Sequence, residues 1–296
     1  MTGFCPTDYV VATSVEHALN ILDNYGDRAK ILAGGTTIHE LASRGMIPQI
    51  EVLIDVEKLG LSYVRDAGEE IRIGATTTIT EALASEKFFM ERIPFDLGAI
   101  AESLNTIHPD QVRNVATIGG EVCSAIPFLD LPPALIALDT SIAARGPLGT
   151  RTIRLHEFYQ DFFLSVLKPK EIVTEVRIPK PMPHSGSAFR KFARTGNDWA
   201  MVNFAASVHL DDSGRMTECR IVAGAIGRTP VRLTKAENTL SGAKPSQEAL
   251  NRATRAVYSE VQPTTGIGAP GYYKKEIARV LARETLEESI EGAKRG

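Results

Sequence analysis

Three prolines in the run Pro179-Lys180-Pro181-Met182-Pro183 limit how this chain can fold more than any other feature. Each proline fixes its φ at about −65° and removes an N–H donor, so the run continues neither a helix nor a central strand. It predicts a domain boundary, and the apolar patterning differs on its two sides.

On the amino-terminal side helices and strands alternate. Thr13 and Glu16 have capping-box spacing ahead of a helical stripe of Val15, Ala18, Leu19 and Leu22. Ala29 to Ala33 reads as a short buried strand ending at Gly34-Gly35. A helix follows from about Ile38 to Gly45, and Pro48 opens a strand ending in Val52-Leu53-Ile54-Asp55. Together these make a small β-α-β-α-β unit. In a second block, Ile71 to Gly74 is a strand, Thr78 and Glu81 box a helix, and Phe95 to Ile107 is another helix. Pro132 to Leu138 is an apolar helix, and strands are expected near Ile142, near Ile153 and over Ile172 to Ile178.

Beyond the prolines, Val202, Phe204, Ala206 and Val208 alternate with Asn203, Ser207 and His209 in the manner of a half-buried strand. Asp211-Asp212-Ser213-Gly214 turns the chain, and Glu218 to Ala225 returns as the partner strand. Helices are expected over Gln247 to Val261 and over Tyr272 to Glu291, the latter carrying Ile277, Val280 and Leu281. At roughly 100–200 residues per domain, the 296 residues divide into 1–57, 58–180 and 181–296.

Composition excludes several classes of function. Lys plus Arg total 33 against 36 Asp plus Glu, a net charge of −3 that gives no footprint for nucleic acid or an anionic membrane. No apolar stretch approaches the roughly 18 residues of a membrane span, and Met1 to Val10 lacks the pattern of a secretion signal. Cys5, Cys123 and Cys219 are odd in number and far apart, which fits a reducing cytoplasm and is too few for the four thiolates of an ordinary iron–sulfur cluster. The six histidines have no metal-binding spacing, and His39-Glu40 lacks the second histidine of a zinc-protease motif. The chain reads as metal-free.

Two glycine pairs carry the chemistry. Ala33-Gly34-Gly35-Thr36-Thr37 leaves a strand and enters a helix. Without side chains there, backbone N–H groups can approach an anion, with the unpaired donors of the helix N-terminus behind them; the alternative is a tight turn with threonine caps. Thr117-Ile118-Gly119-Gly120 reads as a second strand end of the same kind, so the two could face each other across a pyrophosphate. Asp130, before Pro132-Pro133, is either the N-cap of the next helix or an acceptor for ribose hydroxyls.

Ala33-Gly34-Gly35-Thr36, the run Gln111-Val112-Arg113-Asn114-Val115-Ala116-Thr117-Ile118-Gly119-Gly120 and Asp130 together resemble the FAD-binding subunits of molybdenum hydroxylases, a group that includes carbon monoxide dehydrogenase medium subunits and the flavin domain of xanthine dehydrogenase. The resemblance continues through Leu167-Lys168-Pro169-Lys170-Glu171-Ile172, Lys191, Arg194, Asp198, Ala200 and Pro230-Val231-Arg232, nearly the whole chain. It implies an α+β fold: a two-lobed α/β FAD-binding domain of the vanillyl-alcohol-oxidase/xanthine-dehydrogenase type, then an antiparallel sheet with helices. It further implies that Ala33 to Thr37 hold the pyrophosphate from one lobe and Thr117, Gly119, Gly120 and Glu121 from the other, with Asp130 on adenosine or ribityl hydroxyls. Ile107 and Leu167 match apolar contacts of the flavin or adenine, Lys191 a lysine near the isoalloxazine, and Trp199 a flavin-side tyrosine of some relatives. Bland readings stand beside these: Ile107, Leu167 and Trp199 as core, Lys191 as a solvated strand lysine.

Glu121 departs from the family, where asparagine or serine is common; its N–H can still donate, but a carboxylate would repel a pyrophosphate unless turned away. Cys123 reads as a small packed residue. By resemblance the partners are a large molybdenum-cofactor subunit and a small 2Fe–2S subunit, as a dimer of heterotrimers serving NAD, a quinone or oxygen. The competing readings are a stand-alone FAD-dependent oxidoreductase of the same superfamily and a flavin-free scaffold subunit.

Overall fold

The computed structural model describes residues 5–47, 49–85, 97–264 and 269–296. The first lobe runs β1 (Asp8–Val11), α1 (Val15–Tyr25), β2 (Ala29–Leu32), α2 (Thr36–Ser43) and β3 (Val52–Asp55). Its strands form a parallel sheet in the order β1-β3-β2. The Val15–Leu22 stripe packs Ala18, Leu19, Ile21 and Leu22 against Val52 and Ile54. Ser14, not Thr13, caps α1: its Oγ accepts from the His17 N–H at 3.0 Å, while the Thr13 N–H donates to His17 Nδ1. The strand expected to be buried, β2, buries Ala29 but exposes Lys30 and leaves Ile31 and Leu32 half-buried. Pro48 and Phe95, expected to open a strand and a helix, lie outside the described residues.

The second lobe holds β4 (Val64–Asp66), β5 (Glu70–Gly74), α3 (Ile79–Leu83), α4 (Gly98–Asn105), α5 (Asp110–Arg113), α6 (Ile118–Cys123) and α7 (Leu131–Ala137). It continues through β6 (Ser141–Gly146), β7 (Gly149–Arg154), β8 (Tyr159–Asp161), β9 (Leu164–Ser165) and β10 (Ile172–Pro179). Its main sheet is antiparallel, β4-β5-β10-β6-β7, and β8 and β9 pair as a small hairpin. Thr78 and Glu81 do form a reciprocal capping box on α3. The proline run falls between β10 and the next strand.

The remaining chain forms an antiparallel sheet of β11 (Ser185–Phe192), β12 (Val202–Leu210), β13 (Met216–Gly224) and β14 (Val231–Arg232). Helices α8 (Thr234–Leu240), α9 (Gln247–Glu260) and α10 (Gly271–Arg295) follow. Val202, Phe204, Ala206 and Val208 face Ala278, Leu286 and Ile290 of α10. Val280, expected on the apolar side of that helix, is exposed. Of the polar alternates in this half-buried pattern, Ser207 and His209 stay partly exposed, but Asn203 does not face water. Asn203 is fully buried, with its amide on the Leu129 carbonyl, and the Ser207 hydroxyl donates to the Ala137 carbonyl at 2.7 Å. The second lobe covers that face through α4 and α7, and Ala205, Phe189 and Val222 join its core. Where that lobe covers the sheet, it takes up Asn203 and Ser207 as hydrogen-bond donors. Among the described residues no helix is long and apolar enough to cross a membrane.

Candidate functional site

A cleft of about 650 Å³ opens where the three parts meet, within the range of roughly 300–1,000 Å³ usual for ligand sites. Of the residues singled out from the sequence, Thr36, Thr37, Ile107, Glu121, Asp130, Lys191 and Trp199 line it. Ala33, Gly34, Gly35, Thr117, Gly119, Gly120 and Leu167 do not line it.

The first wall is the N-terminus of α2. Gly35 takes φ +70°, the left-handed region that suits glycine, and turns the chain into the helix without a side-chain cap. The first intrahelical bond is His39 N–H to the Gly35 carbonyl. The N–H groups of Gly34, Gly35, Thr36, Thr37 and Ile38 meet no acceptor among the described residues. Open donors at a helix start, with the positive end of the helix dipole, suit an anion. Gly34 has a different task. A methyl group there would sit 1.7 Å from the Val115 carbonyl oxygen, so its missing side chain lets the first lobe rest directly on the second.

The second wall is built differently, which corrects the reading of Thr117–Gly120 as a strand end offering amides. Thr117 is the N-cap of α6, and both glycines lie in that helix's first turn. Every amide there is engaged: Ile118 N–H on Thr77 O, Gly119 on Ala75 O, Gly120 on Thr117 Oγ1 and Glu121 on Thr117 O, at 2.9–3.1 Å. Gly119 is glycine because a methyl group would lie 2.6 Å from the Ala75 carbonyl. Leu167 packs on the second-lobe core, and Cys123 is exposed rather than packed. A bridge between Ser124 Oγ and Thr37 Oγ1, at 3.2 Å, links the walls.

At the floor, the Lys191 ammonium meets the Asp130 carboxylate at 2.7 Å, both nearly buried. Asp130 does not cap α7 with its side chain; it also accepts from Asn203 Nδ2 at 2.9 Å and Thr106 Oγ1 at 3.1 Å. Lys191 and Asn203 are direct cross-strand partners, so β11–β12 register delivers both to Asp130. Gly224 faces Asn203 from β13, where a Cβ would fall 2.1 Å from Asn203 Oδ1. Burial raises the Asp130 carboxyl, opposed by Lys191 and the two donors.

Glu121 is 7% exposed, and its Oε2 is buried with no partner among the described residues. Burial, then the nearby Asp130, pushes its carboxyl from 4.5 to about 8 against the pull of Lys191. At the rim, Trp199 stacks on Phe128 with ring centres 5.9 Å apart, and the Arg44 guanidinium lies 5.2 Å over the indole. Trp199 is therefore neither core nor buried.

Sequence reasoning missed Thr106, Asn203, Gly224 and Arg113, whose guanidinium donates to the Ile107 carbonyl at 3.0 Å and fixes that residue at the cleft. Only the position of Asn203 in an apolar alternation hinted at its role.

These open amides, the orphaned carboxyl and the apolar rim fit a dinucleotide carrying both phosphates and flat rings. Residues 4–181 match the family described as FAD binding domain in molybdopterin dehydrogenase, and 187–289 match the CO dehydrogenase flavoprotein C-terminal domain. The chain is 34% identical to the 6-hydroxypseudooxynicotine dehydrogenase complex subunit alpha of Paenarthrobacter nicotinovorans, covering 97% of this chain and 95% of that one. It is 29% identical to the carbon monoxide dehydrogenase medium chain of Afipia carboxidovorans, over 97% and 98%. A chain of the Cu,Mo-CO dehydrogenase crystal structure superposes with a TM-score of 0.90 at 26% identity, over 98% and 99%. The corresponding CO dehydrogenase chain from Hydrogenophaga pseudoflava also gives 0.90, at 28% identity over 96% and 97%. The α+β FAD-binding fold, the two matched domains and near end-to-end similarity lead to one conclusion: this chain belongs to the family of FAD-binding subunits of molybdenum-hydroxylase-type dehydrogenases, with FAD as its cofactor.

Proposed function

We propose that this chain receives electrons from the 2Fe–2S centres of a small partner subunit and delivers them to an external acceptor, NAD, a quinone or oxygen. The observation that supports it best is the set of open N–H groups from Gly34 to Ile38 beside the cleft. FAD, when bound, supplies a group that takes single electrons and gives up a pair; the protein binds, orients and tunes it.

In this reading the α2 amides and the Thr36 and Thr37 hydroxyls hold the diphosphate, and Ala33, Gly34 and Gly35 bring that backbone into reach. Thr117, Gly119 and Gly120 act through packing, as supports of α6, with Leu167 behind them. Ile107 and Trp199 offer apolar surface to the ring systems. Lys191 holds a fixed positive charge at the floor, shared with Asp130, and Asp130 is held by its neighbours rather than free to swing toward a hydroxyl.

Three cysteines cannot make a four-thiolate cluster, so the one-electron carriers belong to another chain. The assembly we propose adds a large molybdenum-cofactor subunit and pairs two such heterotrimers in the cytoplasm, with domains divided near residues 57 and 180. Relatives named as a medium chain and as a complex subunit support a multi-subunit setting.

Anaerobic spectroscopy tests this. The FAD-loaded chain should bleach with dithionite yet stay oxidised with carbon monoxide, 6-hydroxypseudooxynicotine or any other hydroxylase substrate. Substrate-driven bleaching should appear only when co-purified partner subunits are present. Rapid bleaching of the single chain by an organic substrate would make it a self-sufficient flavoenzyme and overturn the proposal.

A further inference from the structure

Glu121 is the second wall's only contribution to the cleft that comes from α6. Its own N–H is spent on Thr117 O, so the backbone role assigned from the sequence is closed to it. Its side chain is the opposite: nine-tenths buried, facing the cleft, with Oε2 unpartnered. Buried polar groups in native proteins are almost always hydrogen-bonded, so an orphan at a ligand cleft points to a missing partner.

The charges around it decide which form it takes. Asp130, just before α7, and Lys191 on β11 neutralise each other. Tyr159 on β8 is a neutral neighbour, its hydroxyl donating to the Val122 carbonyl. Glu40 and Arg44 of α2 reach the same cleft but pair together, and His108 lines it from the α4–α5 connection. Arg194 at the rim stands 3.9 Å from Asp198, and among the described residues no cation pairs with Glu121, whose carboxylate would stand beside Asp130 and face the anion that the α2 amides are open to receive. Ser124, one turn beyond Glu121 on α6, touches Thr37 of α2, so the carboxyl and the open amides serve one region of the cleft.

Resting on the FAD-binding reading above, we propose that Glu121 is a neutral hydrogen-bond donor of the FAD site, giving its O–H to an oxygen of the bound diphosphate. The group that looks like a repulsive carboxylate is then the second wall's one direct contact with the anion. FAD affinity becomes pH-dependent, because ionisation both removes the donor and adds a like charge.

The sign follows from the raised folded value. For the apoprotein, Glu121's contribution to stability is full below about 4.5 and is lost as pH rises through about 8. Bound FAD holds the proton more tightly, so FAD binding weakens above about 8.

The test is FAD titration of the full-length apoprotein by flavin fluorescence between pH 6 and 9.5, with wild type and Glu121→Gln. Wild-type affinity should be flat below about pH 7 and fall by up to about tenfold per pH unit above about pH 8. Glu121→Gln, a permanent donor, should bind FAD with a flat profile. Infrared spectra of the wild type provide a check that needs no variant: a protonated-carboxyl band should be present at pH 7 and disappear at pH 9.5. A Glu121→Gln profile that falls as the wild type does, a flat wild-type profile, or no protonated-carboxyl band at pH 7 would each overturn the role of Glu121. Wild-type protein that binds no FAD at any pH would instead overturn the cofactor reading beneath it.

Discussion

In the first wall of the cleft, Gly34 and Gly35 precede a helix whose leading amides stay open through Ile38. In the second, Gly119 and Gly120 sit inside a helix whose leading amides are all bonded to Ala75, Thr77 and Thr117. Similar residue pairs thus serve opposite ends. One exposes backbone donors to a ligand, and the other removes side chains so that two stretches of the same lobe can pack. Beneath both walls the floor is held by its own polar network of Thr106, Asp130, Lys191 and Asn203.

If the floor and the helix start of the second wall are scaffold, damage to them should appear as lost stability. The largest effect is expected for Lys191→Met, which strands the Asp130 carboxylate in a nearly dry site. Losing one partner of such a pair costs about 4 kcal/mol, read as a shift of the urea midpoint of the apoprotein. A midpoint within the error of wild type would mean the network is dispensable. Gly34→Ala comes next. Its methyl group cannot coexist with the Val115 carbonyl, so the lobes must part, at about 3 kcal/mol for an overpacked contact. Because the first wall moves with it, the folded protein should also lose FAD, checked by flavin recovery after gel filtration; full retention would break the link between lobe contact and binding. The smallest change sharpens the contrast most. Thr117→Ala removes a cap, costing about 1 kcal/mol of stability, while FAD affinity of the folded chain should stay within about twofold of wild type. A tenfold loss of affinity would show that the contact Glu121 makes from α6 depends on the Thr117 cap.

Much of this was legible in the chain. The proline run, the capping box at Thr78 and Glu81, the β12–β13 hairpin and the parallel first lobe all follow from local rules that act within a few residues. The turn at Asp211–Gly214 is one such case: Asp211 Oδ1 accepts from the Ser213 and Arg215 amides, and Gly214 takes φ +72°. What escaped depends on partners far away in sequence. Thr117 looked like the end of a strand because its apolar neighbours resemble one, yet the loop at 75–77 takes up the amides and the chain coils. Thr13 lost the cap to Ser14 by a one-residue shift, a choice that spacing alone does not resolve. Asn203 looked solvated because alternation says nothing about whether a second layer covers the polar face; here α7 does. Glu121 was flagged by its type, but that its carboxyl rather than its amide faces the cleft needed the helix to be placed.

The contact at Gly34 has a bearing on how such chains can diverge. A chain can share only 28% of its residues with this one and still superpose on it with a TM-score of 0.90, because most exchanges alter side chains that neighbours accommodate. Position 34 has no such latitude, since what touches Val115 is main chain on main chain. While the peptide at 115–116 keeps its path, the residue at 34 is restricted to one member of the amino-acid alphabet. An insertion in the loop before α6 would have to be matched by a change in the first lobe. The two lobes, though they carry separate cores, are thereby tied into a single unit of variation.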